Sequence, residues 1–422
     1  MNQAIALDTH SACGNEPGLI TVDEALQLIL DRTQALTTEC IGLDQALHRY
    51  LATPISSQIN LPLFSQSAVD GYALCHEGEI EAGVHFELIG EIRAGQRSEL
   101  VLQQGQAVRL FTGAKIPEHA TTVARQEIVR AIDHQNMIKI IAALKPHTDI
   151  RDVGEEVAVG QCLAQAGQQL SLGALASLSM AGVQTVHVYA LPKVAVVITG
   201  DEIADTMDEL QSGKIFDANG PLIRAWFQQQ QQHQHQQVHI FHVADSEYAV
   251  SQLFHDLKDR YDVILTTGGV SVGDYDFVRP VALNIGFKEF FWKVKQKPGK
   301  PMFFAEYARK QHSPCYLLGL PGNPAAVYVG MQVYVNLLIK ALQGQKSPCA
   351  WFSGIIQHEL KSDQRERFLR MYAQFEQGQL YLNSLSKQQS HMLSNLMQAN
   401  CLVRIPANQN IQKGAILSGI FI

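Results

Sequence analysis

Between residues 193 and 343 short β-branched runs alternate with amphipathic stretches: KVAVVITG, NGPLIRAWFQQ, QVHIFHVAD, SEYAVSQLFHDLKD and YDVILTTGG follow one another. Apolar strands separated by helix-length segments form right-handed βαβ crossovers, which build a parallel sheet covered on both faces. Open sheets of that kind hold ligands in the crevice beyond the carboxyl ends of their strands. Acids stand at three such ends: Asp201 and Glu202 after VVITG, Asp245 after IFHVA, and Asp274 with Asp276 after ILTTGGVSVG. Residues far apart in sequence are therefore expected on one rim, and a rim of carboxylates favours magnesium.

The stretch DVILTTGGVSVGDYDFVRP, residues 262–280, concentrates this chemistry. Asp262 to Leu265 reads as the start of a buried strand, and Gly268, Gly269 and Gly273 permit backbone conformations that other residues resist. Successive N–H groups in such a turn form an anion-binding concavity, and Asp274 and Asp276 just beyond suit a hard cation. Phosphate with magnesium is the first expectation. The same letters carry two others. Gly269-Val270-Ser271-Val272-Gly273 satisfies G-x-S-x-G, which would make Ser271 the nucleophile of a hydrolase. That elbow needs a helix directly after the serine, which Gly273 and Pro280 oppose. The plainest alternative is a strand-ending turn with no ligand. Further on, Lys297 and Lys300 flank a rigid Pro-Gly turn, which suits a phosphate or oxyanion or serves only as a solvated turn.

Charge and composition exclude several classes. Forty acids against 33 lysines and arginines leave a net charge of −7, the opposite of the basic stripe of a nucleic-acid binder. With 46% hydrophobic and 17% charged residues the chain reads as globular, and no apolar stretch is expected to reach the roughly 18 residues of a membrane span. A length of 422 residues implies about three domains. The start, MNQAIALDTHSACGNEPG, lacks the positive end and apolar core of a secretory signal, reads as a loose leader and points to the cytoplasm. Seven cysteines without any C-x-x-C read as reduced thiols.

Thr21-Val-Asp-Glu24 is a capping box opening a helix over about 21–33. From 60 to 150 short alternating runs, among them HFELIGEI and NMIKIIAAL, predict an inserted all-β module. Ser171 to Met180 predicts a second capped helix, ended by Gly182 and expected beside the first. Residues 350–422 return to short strands and read as a terminal β-domain. QQQQQHQHQQ, 228–237, reads as a solvated helix extension, and His233, His235, His239 and His242 as surface residues rather than a metal cluster.

Eight motifs in order complete the pattern: SAVDGYAL (67–74), FTGAKIP (111–117), RDVGEEV (151–157), ITGDEI (198–203), GKIFDANG (213–220), TTGGVSVGDYDF (266–277), KPGKP (297–301) and GLPGNP (319–324). Singly they are weak, since DGY alone could be a hairpin turn. Together they resemble the molybdopterin molybdenumtransferases, the MoeA family, whose eukaryotic relatives include the E domain of gephyrin. The resemblance implies an α/β multidomain fold: a leader over 1–18, an elongated α-containing dimerisation domain from 19–58 and 152–190, an inserted small β-domain over 59–151, a molybdopterin-binding α/β domain with a parallel sheet over 191–345, and a C-terminal β-barrel over 346–422. It implies a homodimer that takes adenylylated molybdopterin and molybdate, inserts molybdenum and releases AMP with Mg2+.

By the same resemblance Asp276, Asp274, Glu202 and Asp245 are catalytic, with Asp276, Glu202 and Asp245 as magnesium ligands. Gly268, Gly269, Ser271, Gly273, Thr199, Asp201, Pro321, Asn323 and Glu156 bind substrate, joined by Asp70 and Thr112 acting from the second subunit of the dimer. Lys297, Lys300, Arg370 and Ser390 face molybdate. Molybdopterin adenylyltransferase and apo-molybdoenzymes are implied partners. The chain departs from the family at Glu156, where Asp is usual, and at Phe64-Ser65-Gln66, where Phe-Asp-Asn is usual. A contrasting reading is a non-catalytic dimeric scaffold of the gephyrin type. The retained rim acids, both lysines and the glycine turn favour the enzyme.

Overall fold

The computed structural model describes residues 18–422 apart from 98, 133–134, 201–202, 205–206, 209, 211–213, 231–237, 272, 274–275 and 311. The chain divides into two compact units, one of residues 1–40, 48–52 and 187–422, the other of 41–47 and 53–186. Helix α1 (Val22–Arg32) of the first unit opens as expected: Thr21 Oγ1 accepts from Glu24 N at 3.2 Å, and Glu24 Oε2 accepts from Thr21 N at 2.7 Å.

The second unit carries a six-stranded sheet of β1 (Gly71–Leu74), β2 (His85–Ile92), β3 (Gln106–Leu110), β4 (Thr122–Arg125), β5 (Val129–Ile132) and β6 (Met137–Ile140), in the order β4-β1-β3-β2-β6-β5. Alternation decides which side chains enter its core. In β6 Ile138 and Ile140 are buried while Lys139 between them is exposed. Helix α2 (Leu172–Met180) of this unit is capped by Ser171, whose Oγ accepts from Ala174 N at 3.2 Å.

The first unit is built on β7 (Val194–Thr199), α3 (Asn219–Gln229), β8 (Val238–Val243), α4 (Glu247–Leu257), β9 (Val263–Thr267), α5 (Val278–Ile285), β10 (Lys288–Trp292), β11 (Phe303–Tyr307) and β12 (Cys315–Leu320). The sheet order is β8-β7-β9-β12-β11-β10. Strands β8, β7, β9 and β12 are parallel, as expected, but β11 runs antiparallel to both β12 and β10. Parallel neighbours need a long crossover, and β11 reaches β12 through a short loop that closes only an antiparallel pair. Every residue of β7, β9 and β12 is buried. Val194, Val196 and Ile198 of β7 enter one core with Ile223 and Trp226 of α3, while Ala195 and Val197 enter another with Val250 and Phe254 of α4. Along these central strands both faces are taken up by core packing.

After β12 one continuous helix runs as α6 (Pro324–Gly330), a π-helical turn (Met331–Val335) and α7 (Asn336–Leu342). Its 19 residues, of mean hydropathy 1.5, are long and apolar enough to cross a membrane, which corrects the expectation that no such stretch exists. Buried residues make up 83% of that window, so its apolar surface packs inside the unit. Helix α1 shares a core with α7, where Ile29 and Leu30 join Leu337 and Leu338. Helix α3 ends at Gln229; tract residues 231–237, with His233 and His235, lie outside the described residues, and His239 and His242 fall in β8.

The chain ends in a closed barrel of β13 (Phe352–Ile356), β14 (Glu366–Glu376), β15 (Gln379–Ser384), β16 (Cys401–Ile405) and β17 (Ile416–Phe421), paired β14-β15-β13-β17-β16-β14. Gln296 and Lys297 pair with Glu366 and Arg367 at the start of β14, which ties the lysine turn to the barrel.

Candidate active site

Strand β9 runs into Gly268 and Gly269, at φ +91° and +66°, a backbone region that side chains resist. A Cβ on Gly268 would lie 2.6 Å from Thr199 Oγ1, so the turn passes directly against the end of β7. Three bonds fasten it: Gly268 N to Leu320 O at 2.9 Å, Val278 N to Gly269 O at 3.1 Å, and Trp292 Nε1 to Val270 O at 2.8 Å. Thr199 Oγ1 itself donates to Thr267 O at 3.3 Å. Asp276 folds back so that its Oδ2 accepts from Gly273 N at 2.7 Å. Helix α5 begins only at Val278, and not directly after Ser271 as the nucleophile elbow requires. Ser271 is a turn residue.

This turn forms one wall of a cavity of about 550 Å³. Nine of the residues singled out in sequence meet in its lining: Gly268, Gly269, Ser271, Asp276, Lys297, Lys300, Pro321, Asn323 and Ser390. Arg365, Gln388, Gln389 and His391 line it as well. The described lining thus holds Lys297, Lys300 and Arg365 against the single carboxylate of Asp276, a balance that draws anions. Lys297 Nζ lies 3.0 Å from Asp363 Oδ2. Burial pushes the Asp363 carboxyl up, but the bonds from Lys297 and from Arg365 N outweigh it and hold the group below its ordinary range.

The described lining does not include every residue singled out in sequence. Asp201, Glu202 and Asp274 are outside the described residues. Thr199 and Gly273 support the turn from beneath, and Asp245 follows the edge strand β8. Arg370, 2% exposed, does not face the cavity. Its guanidinium donates to Met392 O, to Lys387 O at 3.0 Å and to Gln389 O at 3.3 Å, so it holds the loop that carries Ser390. Gln388 returns the tie, donating to Arg370 O at 2.7 Å.

In the second unit Asp70 Oδ1 accepts from both Thr112 N and Thr112 Oγ1 at 2.8 Å. These two bonds, helped by the charge of Arg109, lower the Asp70 carboxyl below its ordinary value. Glu156 N donates to Leu61 O at 2.9 Å, and its side chain is exposed.

Sequence reasoning missed Arg365 and His391, which sit in no motif. It also passed over Asp217, although that residue lies inside GKIFDANG. Asp217 Oδ1 accepts from Asn219 N at 2.8 Å and Gly220 N at 3.0 Å, so it caps α3. Among the described residues no group of three or more His, Cys, Asp or Glu could hold a metal ion. One carboxylate beside an anion-receptive wall still fits magnesium, which commonly takes one or two carboxylates and completes its shell with substrate phosphates and water.

Comparison with known proteins agrees along the chain. Residues 20–182 match the MoeA N-terminal region (domain I and II), 195–341 a probable molybdopterin binding domain, and 354–418 the MoeA C-terminal region (domain IV). A molybdopterin molybdenumtransferase of Haemophilus influenzae is 33% identical over 393 residues, covering 91% of this chain and 94% of the relative. One from a Nostoc species is 34% identical over 382 residues, covering 88% and 86%. The crystal structure of the molybdopterin biosynthesis MoeA protein of Pyrococcus horikoshii superposes with a TM-score of 0.79 at 24% identity over 96% of this chain and all of that one, a likeness of fold.

Proposed function

The chain belongs to the MoeA family of molybdopterin molybdenumtransferases, transferases of molybdenum cofactor biosynthesis, and from that premise we propose that it takes adenylylated molybdopterin and molybdate and releases AMP as molybdenum passes to the dithiolene. The observation that carries this reading is one cavity in which an N–H-rich glycine turn, a carboxylate and a cationic turn face each other. Beyond Gly268, whose own N–H is tied to Leu320 O, the amides of Gly269 to Ser271 suit the phosphates of the adenylylated substrate. Lys297, Lys300 and Arg365 suit molybdate, an oxyanion of two negative charges, and Ser390 offers it a hydroxyl. Cleavage is hydrolysis of the phosphoanhydride link: a water oxygen bonds to phosphorus as the bond to the bridging oxygen breaks, the departing phosphate keeps that bonding pair, and the water's proton passes to solvent.

Asp276, with Asp274, Glu202 and Asp245, would hold magnesium. Magnesium held there would supply positive charge against the charge growing on the phosphoryl oxygens and would help orient the attacking oxygen. Asp276 is positioned for this by the Gly273 N–H, which fixes one carboxylate oxygen and leaves the other to the cavity. The reading includes a homodimer in which Asp70 and Thr112 serve a second copy, and a place in the cytoplasm between a molybdopterin adenylyltransferase and the recipient apo-molybdoenzymes. Sedimentation showing a stable monomer at micromolar concentration would count against the dimer.

The test of the chemistry is AMP release from adenylylated molybdopterin with molybdate and magnesium. Asp276→Asn keeps the shape and removes the charge, and is expected to cut turnover by roughly a hundredfold or more, the scale of losing a transition-state electrostatic partner. Ser271→Ala is expected to lose only a severalfold factor. Near-normal turnover in Asp276→Asn, or abolition by Ser271→Ala with a trapped acyl or phosphoryl intermediate in the wild type, would falsify the proposed site.

A further inference from the structure

The turn that carries Lys297 and Lys300 is fastened from below by a buried side chain. Gln296, 0% exposed, donates from Nε2 to Gly299 O at 3.1 Å, and its Oε1 accepts from the hydroxyl of Tyr334 at 2.5 Å. Tyr334, also 0% exposed, belongs to the π-helical turn Met331–Val335. A π turn spends an extra residue on one turn and redirects the side chains it carries, and such turns recur at functional sites. Here the redirected phenol ends on the amide beneath the lysine turn. Gly299, at φ +88°, completes the fit: a Cβ there would meet Gln296 Nε2 at 3.0 Å and Ala326 Cβ at 3.5 Å.

The ring of Tyr334 lies in the apolar core with Leu338 and Val327, where phenylalanine would pack equally well. Burying a hydroxyl there costs free energy unless it is bonded, and its bond to Gln296 Oε1 leads to the lysine turn. Burial also pushes the phenol well above its ordinary value, so it stays a neutral donor. Without that donor, Gln296 Oε1 would be a buried unsatisfied acceptor, the amide would turn, and the Gly299 carbonyl would lose its partner.

We propose that Tyr334 and Gln296 are positioning residues that set the separation of Lys297 and Lys300 for a tetrahedral oxyanion. This rests on the reading that the cavity takes molybdate. Tyr316 is the matched reference, a second buried tyrosine of the same unit whose hydroxyl donates to Arg32 O at 3.0 Å and accepts from Gln34 N at 2.8 Å, away from the cavity lining.

Four variants of the full chain would be compared: Tyr334→Phe, Gln296→Met, Tyr316→Phe and Lys297→Ala. Each is titrated with sodium molybdate by calorimetry, assayed for molybdate KM and kcat, and followed by amide exchange at residues 299 and 300. Tyr334→Phe is expected to raise the molybdate Kd and KM roughly five- to tenfold, the equivalent of one lost hydrogen bond, with kcat at saturation within about twofold and faster exchange at both amides. Tyr316→Phe is expected to lower Tm and leave molybdate binding and that exchange unchanged. Gln296→Met reads the same tie if Tyr334→Phe does not fold, and is expected to behave like it. Wild-type molybdate binding in Tyr334→Phe or Gln296→Met, alongside a clear loss in Lys297→Ala, overturns the positioning role alone. Wild-type binding in Lys297→Ala overturns the molybdate reading, and this inference with it.

Discussion

On its α/β side the cavity is walled by backbone: Gly268 and Gly269 turn at positive φ against Thr199, and Asp276 hangs from the Gly273 amide. On its barrel side it is walled by side chains, Arg365 and the loop from Gln388 to His391, and that loop hangs from Arg370. The first wall has almost no room for a substituent. The second is held by bonds from the buried Arg370 guanidinium, the Asn395 amide and the Ala325 N–H, so its spacing can change without breaking the sheet. The wall proposed for the phosphates is therefore rigid by construction, and the wall proposed for the oxyanion is adjustable.

Gly268→Ala should break this comparison most severely. Its Cβ would be forced against Thr199 Oγ1 at 2.6 Å in a strained backbone region, and displacement of the turn by about 1 Å is expected to cost roughly a hundredfold in AMP release. Thr199→Ala in the same chain should restore part of the rate, because it removes the collision but not the strain. A fully active Gly268→Ala would show that the backbone wall is not rigid.

Arg370→Met comes next. The carbonyls of Gln389 and Met392 lose this donor while Lys387 O keeps its bond from Asn395 Nδ2, and thermal unfolding is expected to show a loss of roughly 2 kcal/mol, with molybdate bound severalfold more weakly and the KM for the adenylylated substrate little changed. Equal loss for both substrates would mean that the two walls move as one.

Asp363→Asn should have the smallest effect. Lys297 is half exposed, so the pair contributes less than about 0.5 kcal/mol, and the variant is expected to keep its Tm. Relieved of its partner, Lys297 should bind molybdate slightly more tightly. The Asp363 carboxyl is depressed in the folded protein, so its contribution to stability is present above the ordinary value of 3.8 and lost as pH falls through the lower folded value. Carboxyl titration by NMR should find that lower value, and Lys297→Ala should move it up; no upward movement would remove Lys297 from the account.

Much of this was legible because it is local. Val194–Thr199 and Val263–Thr267 announce strands buried on both faces by their unbroken apolar runs, and the glycine pair announces its turn. Local signals were incomplete where distant packing chose the partner. The start of α1 is written in its capping box, yet only tertiary contact pairs it with α7. The helix after β12 is apolar enough for a membrane by composition, and its burial alone makes it a core helix.

By itself, then, the sequence determined the order of strands and helices, the glycine turn and the motifs that place the chain in its family, since each depends on residues within a few positions of one another. The tertiary structure decided what Arg370, Arg365 and Tyr334 do. A long polar side chain in a core must find a partner wherever the fold supplies one. For Arg370 those partners lie up to 22 residues away, and for Tyr334 the partner lies 38 residues away across a π turn, separations that no local pattern encodes.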